Sequence, residues 1–295
     1  MNICRMLLMK LLPILLMVIW SFCPVLARPL QDIMYSPDGS KFLVRELSAA
    51  YLRDSATGKI LKVFEYRRAD GSTYNSIGFA VFLSNKTLIL NDEKRNLIWW
   101  SIKDSSETKR SSRRYAIVEI SADRKLIAGL DIDSRSGNVI NIYRSDNGRL
   151  LKTVAPRVPD VGCLAFLSDN ERLVVGSSQK AVIFSPRTGK ISKSFPYDKS
   201  SRDCVVSPTG QSVLMSSFFA GPSGQKSFPL VNLNAGRQHL QMEKKYSELV
   251  SYSNAVGYSG ADHDLAFVAG RSTVSRTGIL IVWNLSTGKI KQVVY

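Results

Sequence analysis

The stretch ILIVWNLSTGKIKQVVY, residues 279–295, contains an apolar run, a polar turn with a glycine and a lysine, and a second strand-like run. The same order recurs in SATGKIL (55–61), SDNGRLL (145–151) and SPRTGKI (185–191). Glycine suits such a turn because it accepts the positive φ that tight hairpins demand. The recurrence predicts one kind of β-hairpin that is built several times along the chain.

A second signature alternates with the first, and it consists of an apolar run, a turn and another apolar run, as in IMYSPDGSKFLV (33–44). Self-similarity at a fixed spacing is typical of repeat architectures. Aligning the copies gives six reference positions, separated by 47, 38, 46, 40 and 52 residues, which define repeats 1 to 6: Ser36, Leu83, Ser121, Leu167, Ser207 and Ser259.

Each repeat holds four short β runs, which in repeat 4 are VGCLAF, RLVVGSS, KAVIFS and KISKSF. Four strands in about 40–50 residues correspond to one blade of a β-propeller. Runs such as ILIVW are continuously apolar, as expected of strands that neighbouring blades cover on both faces. We therefore predict an all-β fold, a single propeller of six four-stranded antiparallel blades, or seven if the chain holds a further degenerate copy.

At these residues the sequence resembles the WD40 and YVTN-type propeller repeat families. The pattern of SPDG, an apolar run and TGK is similar to their repeats, and Trp283-Asn284 stands where many WD40 repeats have Trp-Asp. The resemblance covers residues 30–295. The two histidines, His239 and His263, lie outside any Gly-His pair of the WD40 kind, which favours the bacterial type. The resemblance implies the propeller fold. From the positive charge, and because the sequence contains no recognisable catalytic set, we predict a binding module that works by protein interaction rather than catalysis.

The N-terminal segment has the features of a secretory signal peptide. Arg5 and Lys10 precede the apolar run LLPILLMVIWSFCPVLA, and Ala27 offers a cleavage site. We expect a signal peptide at 1–27 and a propeller domain at 28–295, placed in the periplasm or secreted. An uncleaved membrane anchor is the alternative. No second long apolar run follows, so we expect no transmembrane segment after cleavage. We also expect the mature chain to be a monomer.

The charge of the chain points to an anionic partner. Without Arg5 and Lys10, 38 basic residues face 24 acidic ones, a net charge of +14. Such a field favours an acidic protein or an anionic component of the envelope. Nucleic acid is disfavoured for an exported chain whose basic run contains no stacking aromatics. The densest run, where the second blade passes to the third, gives the predicted binding residues: Lys109, Arg110, Arg113 and Arg114.

An enzymatic alternative rests on two aspartates. Asp32 and Asp203 stand four residues before the reference positions of repeats 1 and 5, in first strands that line the channel of a propeller. Lactonase-like propeller hydrolases hold Ca²⁺ there with carboxylates and amide oxygens. The equivalent positions of the other repeats offer no oxygen ligand, so we predict no cofactor and keep calcium as the alternative.

Cys163 and Cys204 are the two cysteines beyond the signal segment. Cys163 lies four residues before its reference position and Cys204 three, so their side chains should point to different sides of their sheets. A disulfide needs convergent Cβ atoms. We therefore predict two free, buried thiols and no disulfide.

Overall fold

The computed structural model is all-β within the residues that it describes. These are 30–46, 49–65, 77–92, 94–134, 138–196, 201–217, 227–233, 236–241, 250–258, 265–272, 278–285, 287 and 289–294. The predicted signal peptide and cleavage site therefore lie outside the described residues. In the part that is described, no helix is long and apolar enough to cross a membrane.

The chain divides into two compact units. Unit 1 comprises residues 1–93 and 100–105, and unit 2 comprises residues 94–99 and 106–295. Unit 1 contains a four-stranded antiparallel sheet in the order β1-β2-β3-β4, and an antiparallel pair, β5 with β6. The bounds of its strands are β1 Leu30–Tyr35, β2 Lys41–Glu46, β3 Ala49–Asp54, β4 Ile60–Glu65, β5 Ala80–Phe82 and β6 Thr87–Asn91.

Unit 2 contains repeats 3 to 6, and in each the strands pair in chain order. Strand β7, Asn96–Ser101, begins in unit 2 and ends in unit 1. The remaining bounds are β8 Ser106–Ile120, β9 Leu126–Asp131, β10 Val139–Arg144, β11 Leu150–Val154, β12 Cys163–Phe166, β13 Leu173–Gly176, β14 Lys180–Phe184, β15 Ile191–Pro196, β16 Ser201–Val206, β17 Ser212–Ser217, β18 Ser227–Asn232, β19 Gly236–Gln241, β20 Val250–Tyr258, β21 Leu265–Ser272, β22 Gly278–Asn284 and β23 Lys289–Val294.

Strand β8 serves repeats 2 and 3 at once. Its first half lies beside β7, where Leu97 N–H donates to Ser111 Oγ at 2.8 Å and Thr108 Oγ1 donates to Trp99 O at 3.1 Å. Its second half, from Tyr115 onward, pairs with β9 in antiparallel register. The passage from the second repeat to the third is therefore a continuous strand of 15 residues. Repeats 2 and 3 share one sheet through this strand, so the prediction of a separate four-stranded blade for each of them is wrong.

A buried serine recurs at the reference position of the odd-numbered repeats. Ser36, Ser121 and Ser207 are nearly inaccessible, and each hydroxyl oxygen accepts a backbone hydrogen bond from the start of the next strand. In these three repeats, this shared contact shows that the sequence alignment placed equivalent residues together. The donors are the N–H groups of Lys41, Leu126 and Ser212, at 2.9, 2.9 and 3.0 Å.

A second contact joins the turns of successive repeats in pairs. The N–H of Asp38 in repeat 1 donates to Asn85 Oδ1 in repeat 2 at 3.0 Å. The N–H of Asp123 in repeat 3 donates to Asn170 Oδ1 in repeat 4 at 3.1 Å. Each asparagine thus satisfies a backbone donor of the preceding repeat's turn.

The hairpins that the glycine-basic signature predicted are present. Gly58, Gly148 and Gly189 have φ of +68°, +62° and +76°, a region that other residues rarely occupy. The strand that follows carries a register shift near its start in each of β4, β11, β15 and β23. The final hairpin joins β22 to β23, as predicted, although Gly288 itself lies outside the described residues.

The core of unit 2 lies between successive sheets. In β12, Leu164 and Phe166 pack with the cluster that contains β9 and β10, whereas Cys163 and Ala165 pack with β17 of repeat 5. Alternate residues of one strand thus face opposite neighbours. A third cluster joins repeat 5 to repeat 6 around Trp283, which is 1% exposed. This two-sided burial explains the continuously apolar strands.

The prediction of two free thiols is wrong, because Cys163 and Cys204 form a disulfide. Their Cα atoms are 5.8 Å apart, within the usual range for a disulfide. The two cysteines do point to opposite sides of their own sheets. That arrangement brings them together, because one face of the repeat 4 sheet packs against the opposite face of the repeat 5 sheet. Both lie in the cluster between repeats 4 and 5.

Candidate functional site

The predicted basic residues lie together on the first half and middle of β8, with exposed side chains. Three of them pair with carboxylates: Arg110 with Glu107, Arg113 with Asp131 and Arg114 with Asp133. The pKa of the Asp133 carboxyl is lowered, first by the hydrogen bond from Arg114. These ion pairs neutralise the charge of three of the four basic residues.

Lys109 is held by neutral partners instead. Its Nζ donates to Asn147 O at 2.8 Å and lies 6.0 Å from the centroid of the Trp99 ring. The Trp99 Nε1–H donates to Ser145 O at 2.8 Å, which fixes the ring against the repeat 3 turn. Lys109 is therefore the member of the predicted set whose charge meets no carboxylate among the described residues.

Arg113 is part of a buried polar network. Its guanidinium donates to Asp131 Oδ2 at 2.9 Å, and Asn141 Nδ2 donates to the same oxygen at 3.1 Å. The hydroxyls of Tyr115 and Tyr143 contact each other next to this carboxylate. Burial is the first cause of a raised pKa at Tyr115, so its hydroxyl stays protonated. The network favours a structural function for Arg113.

Asp203, the channel carboxylate of the enzymatic alternative, bonds to the backbone of the next repeat. Its Oδ2 accepts a hydrogen bond from Val256 N–H at 3.3 Å. Its position in repeat 5 is that of Cys163 in repeat 4, and both side chains reach the first strand of the following repeat. The pKa of Asp203 is raised because it is desolvated, although backbone N–H groups oppose this shift. The side chain of Asp32 lies outside the described part of the structure.

Sequence reasoning missed Glu119, which lies in the second half of β8. Its pKa is raised to about 8, first by desolvation and second by the negative charge of Asp203. No local motif marks this residue, since its environment depends on how repeats 3 to 5 pack. Two nearby carboxylates could attract a cation, but the described residues contain no group of three or more His, Cys, Asp or Glu that could hold a metal ion. The side chain of His239 and all of His263 lie outside the described part of the structure.

A cavity of about 400 Å³ lies within unit 1, and we call it the lysine cavity. It lies against strands β2 to β4, the turn between β5 and β6, and the end of β7. The Lys62 Nζ lies 5.3 Å from the centroid of the Trp100 ring, and Phe64 packs edge-on against that ring at 5.3 Å. The residues that give the cavity its character are Lys41, Lys62, Lys86, Lys103, Trp100 and Ile102.

Among the described residues, none of those in the wall of the lysine cavity is acidic. The charge of Lys41 is partly balanced by the nearby carboxylate of Asp38. The pKa of Asp38 is lowered to about 2, first by the hydrogen bond from Ser36 and least by the charge of Lys41. In the described residues, Lys62, Lys86 and Lys103 form no ion pair. Positive charge beside an aromatic ring and aliphatic side chains is suited to an anionic group with an apolar neighbour.

The sequence could not reveal the lysine cavity, because its lysines come from four segments that are 17 to 24 residues apart. Only the pairing of strands brings them together. The backbone fixes the far side: Ile102 N–H donates to Lys86 O at 2.9 Å, and Asn85 accepts the hydrogen bond from Asp38. The cavity wall is thus made of hydrogen-bonded turns.

Comparison with known proteins adds no family assignment. No family model matches the sequence, and no curated protein is significantly similar to it. The resemblance to WD40 and YVTN-type repeats therefore stays a prediction.

Proposed function

We propose that the protein is an exported six-bladed β-propeller that binds an anionic partner, either a protein or a component of the envelope, without catalysing a reaction. The four-stranded antiparallel sheets of repeats 1, 4, 5 and 6 support the blade assignment. The packing of repeats 3 to 6, each against the next, supports a ring built from such blades. Two further parts of the proposal rest on the sequence alone: export on the predicted signal peptide, and an anionic partner on the net charge of +14.

The Cys163–Cys204 disulfide supports export. Disulfides form and persist in oxidising compartments such as the bacterial periplasm and the extracellular space, and they are rare in the cytosol. This bond is therefore an argument that is independent of the apolar run at residues 11–27. It agrees with a function outside the cytoplasm.

The lysine cavity is the observation that carries the binding function. It combines a concave surface, three cations without ion pairs in the described residues, and an aromatic ring. The β8 segment is the weaker candidate, because Glu107, Asp131 and Asp133 already pair with its arginines. An anion at the lysine cavity would meet positive charge that no carboxylate of the described residues pairs with.

The test compares binding of three anionic probes by interferometry: poly-L-glutamate, heparin and phosphatidylglycerol vesicles. The chain is expressed in full so that export can proceed. The cavity variant replaces Lys62, Lys86 and Lys103 by Ser. The control variant replaces three exposed lysines elsewhere by Ser, which removes the same charge: Lys125, Lys152 and Lys190.

We expect the cavity variant to bind at least one probe about 3- to 100-fold more weakly than the control variant, since each exposed charge contact contributes about 0.2–1 kcal/mol. Binding should also weaken as salt rises, because the Debye length falls from ~10 Å at 0.1 M to ~3 Å at 1 M. Equal affinities of the two variants, or no binding of any probe, would contradict the proposal.

The calcium-dependent hydrolase remains the second candidate, and the proximity of Glu119 and Asp203 is the observation in its favour. Hydrolysis of a panel of lactones, measured with and without EDTA, separates the two functions. Chelator-sensitive turnover that Asp203→Asn abolishes would replace our proposal with the enzymatic one. We expect no such turnover.

A further inference from the structure

Strand β4 forms one edge of the β1–β4 sheet. It pairs with β3 on one side, and no strand of the described residues pairs with it on the other. Beyond a bulge at Leu61, the register runs regularly from Lys62 to Glu65. An edge of this kind presents a row of backbone N–H and C=O groups to any extended chain that approaches it.

The edge is also unusually apolar on its exposed side. Ile60, Leu61 and Val63 are all large and exposed. The corresponding outer strands β11, β15 and β23 expose two, one and one such residues: Leu150 and Leu151, Ile191, and Val294. Within the described residues, β4 is therefore the outer strand with the most exposed apolar side chains.

The lysine cavity opens beside this edge. Leu61 and Lys62 belong both to β4 and to the cavity wall, and Lys86 and Lys103 line the same cavity from sequence-distant turns. Charges commonly protect edge strands from unwanted pairing. Lys62, Lys86 and Lys103 stand here against one acidic residue of β4, Glu65 at its end. Positive charge therefore prevails beside the edge, which favours an acidic chain over a basic one.

We propose that β4 accepts an extended acidic segment of a partner protein as an added strand, with its carboxylates directed to Lys62, Lys86 and Lys103. Backbone hydrogen bonds supply affinity in this mode, and pockets for alternate side chains supply specificity. Apolar residues of the segment contact Leu61 and Val63. This inference rests on the proposed function, because it names the partner of the same cavity.

A peptide fits these observations better than a membrane or a small anion does. Strand addition uses the backbone edge of β4 with which no described strand pairs, and neither a lipid surface nor a small anion needs such an edge. Alternation of side chains along an added strand lets every second residue face the lysines while the others face the apolar edge. The other occupants are outcomes of the test.

The probe is a phage-displayed library of random ten-residue peptides, selected on the immobilised exported chain. We expect selected peptides in which Asp or Glu alternates with apolar residues. Each is then synthesised with a fluorophore, and its affinity is measured by polarisation. The cavity variant should bind at least 10-fold more weakly than the native chain, and the control variant should differ by less than 2-fold.

Backbone pairing is tested by N-methylating alternate amides of a selected peptide, in each of the two registers. Along one edge only every second amide donates, so one register should lose at least 10-fold in affinity and the other should retain it. Equal effects of the two registers would contradict strand addition. So would selected peptides without acidic residues, or a selection that yields no binder.

The two proposals fail in different ways. If poly-L-glutamate, heparin or anionic vesicles bind through the three lysines but no peptide shows the register effect, strand addition is wrong and the anion-binding function stands. If no anionic probe distinguishes the cavity variant from the control variant, both proposals are wrong. Vesicle binding alone would assign the cavity to a lipid headgroup.

Discussion

The guanidinium of Arg113, which is about half exposed, bonds at 2.9 Å to the carboxylate of Asp131, whose side chain is fully buried. The pair joins the surface of β8 to the polar network around Asn141. An unpaired charge at a buried position is unfavourable, so the partner at the surface matters more than its exposure suggests.

We expect Arg113→Ser to lower the free energy of unfolding by about 1–3 kcal/mol, because it leaves the Asp131 carboxylate buried without its charged donor. Arg110→Ser is the matched control on the same strand, since Glu107, its partner, is partly exposed. That change should stay within about 0.5 kcal/mol. Urea unfolding measures both. Equal losses would show that the buried carboxylate does not depend on Arg113.

Glu119 should make stability depend on pH. Its pKa is about 8 in the folded chain and 4.5 ordinarily, so the folded chain holds a proton that the unfolded chain releases between these values. The free energy of unfolding therefore falls as pH rises through this window. The fall should be smaller in the Glu119→Gln variant, which has no carboxyl at this position. Between pH 4 and pH 8.5, the free energy of unfolding of the variant should rise by about 1–3 kcal/mol relative to that of the native chain, a figure reduced for contact with solvent. Urea midpoints between pH 4 and 9 test this, and parallel curves for the two proteins would contradict it.

Reduction should destabilise unit 2. The Cys163–Cys204 bond closes a loop across 41 residues, for which the chain-entropy relation gives about 3–4 kcal/mol. Urea midpoints of the exported chain with and without a phosphine reductant measure this loss. The Cys163→Ala, Cys204→Ala double variant should be insensitive to reductant. The thiols of the denatured, unreduced chain can also be titrated. Reaction of both Cys163 and Cys204 would disprove the bond.

Gly129 should tolerate no side chain. A Cβ there would lie 2.5 Å from Cδ1 of Tyr115, whose ring is held in place by the contact of its hydroxyl with Tyr143. Gly129→Ala is therefore expected to lower the free energy of unfolding by about 1–3 kcal/mol through overpacking. Gly278→Ala is the control, because its added Cβ has no non-neighbouring atom of the described residues within 4 Å. Similar midpoints for the two variants in urea would contradict this account.

The strands and hairpins were predictable because their signals are local. The four runs of repeat 4 became β12 to β15, and the turn glycines Gly58, Gly148 and Gly189 have the positive φ that their pattern indicated. Strand β8 was harder to predict. Its residues ETKRSSRR are polar on both faces, so only pairing with β7 and β9 makes this segment a strand.

The site features depended on packing between repeats, which a single sequence does not encode locally. The orientation of Cys163 and Cys204 was correctly deduced, but its consequence reverses when two sheets face each other. Lys62, Lys86 and Lys103 meet across strands that are far apart in the chain. Both outcomes follow from the relation between repeats rather than from any one repeat.

The Asp38–Asn85 and Asp123–Asn170 hydrogen bonds define a unit that is larger than one repeat. Both link an odd repeat to the even repeat after it, and both span 47 residues. Ser36 and Ser121, 85 residues apart, head the two linked pairs. Over the first four repeats, the element that recurs is therefore a pair of repeats, in which one contributes the Ser-x-Asp turn and the other contributes the asparagine that accepts from it. The structural period of this part of the chain is two repeats rather than one.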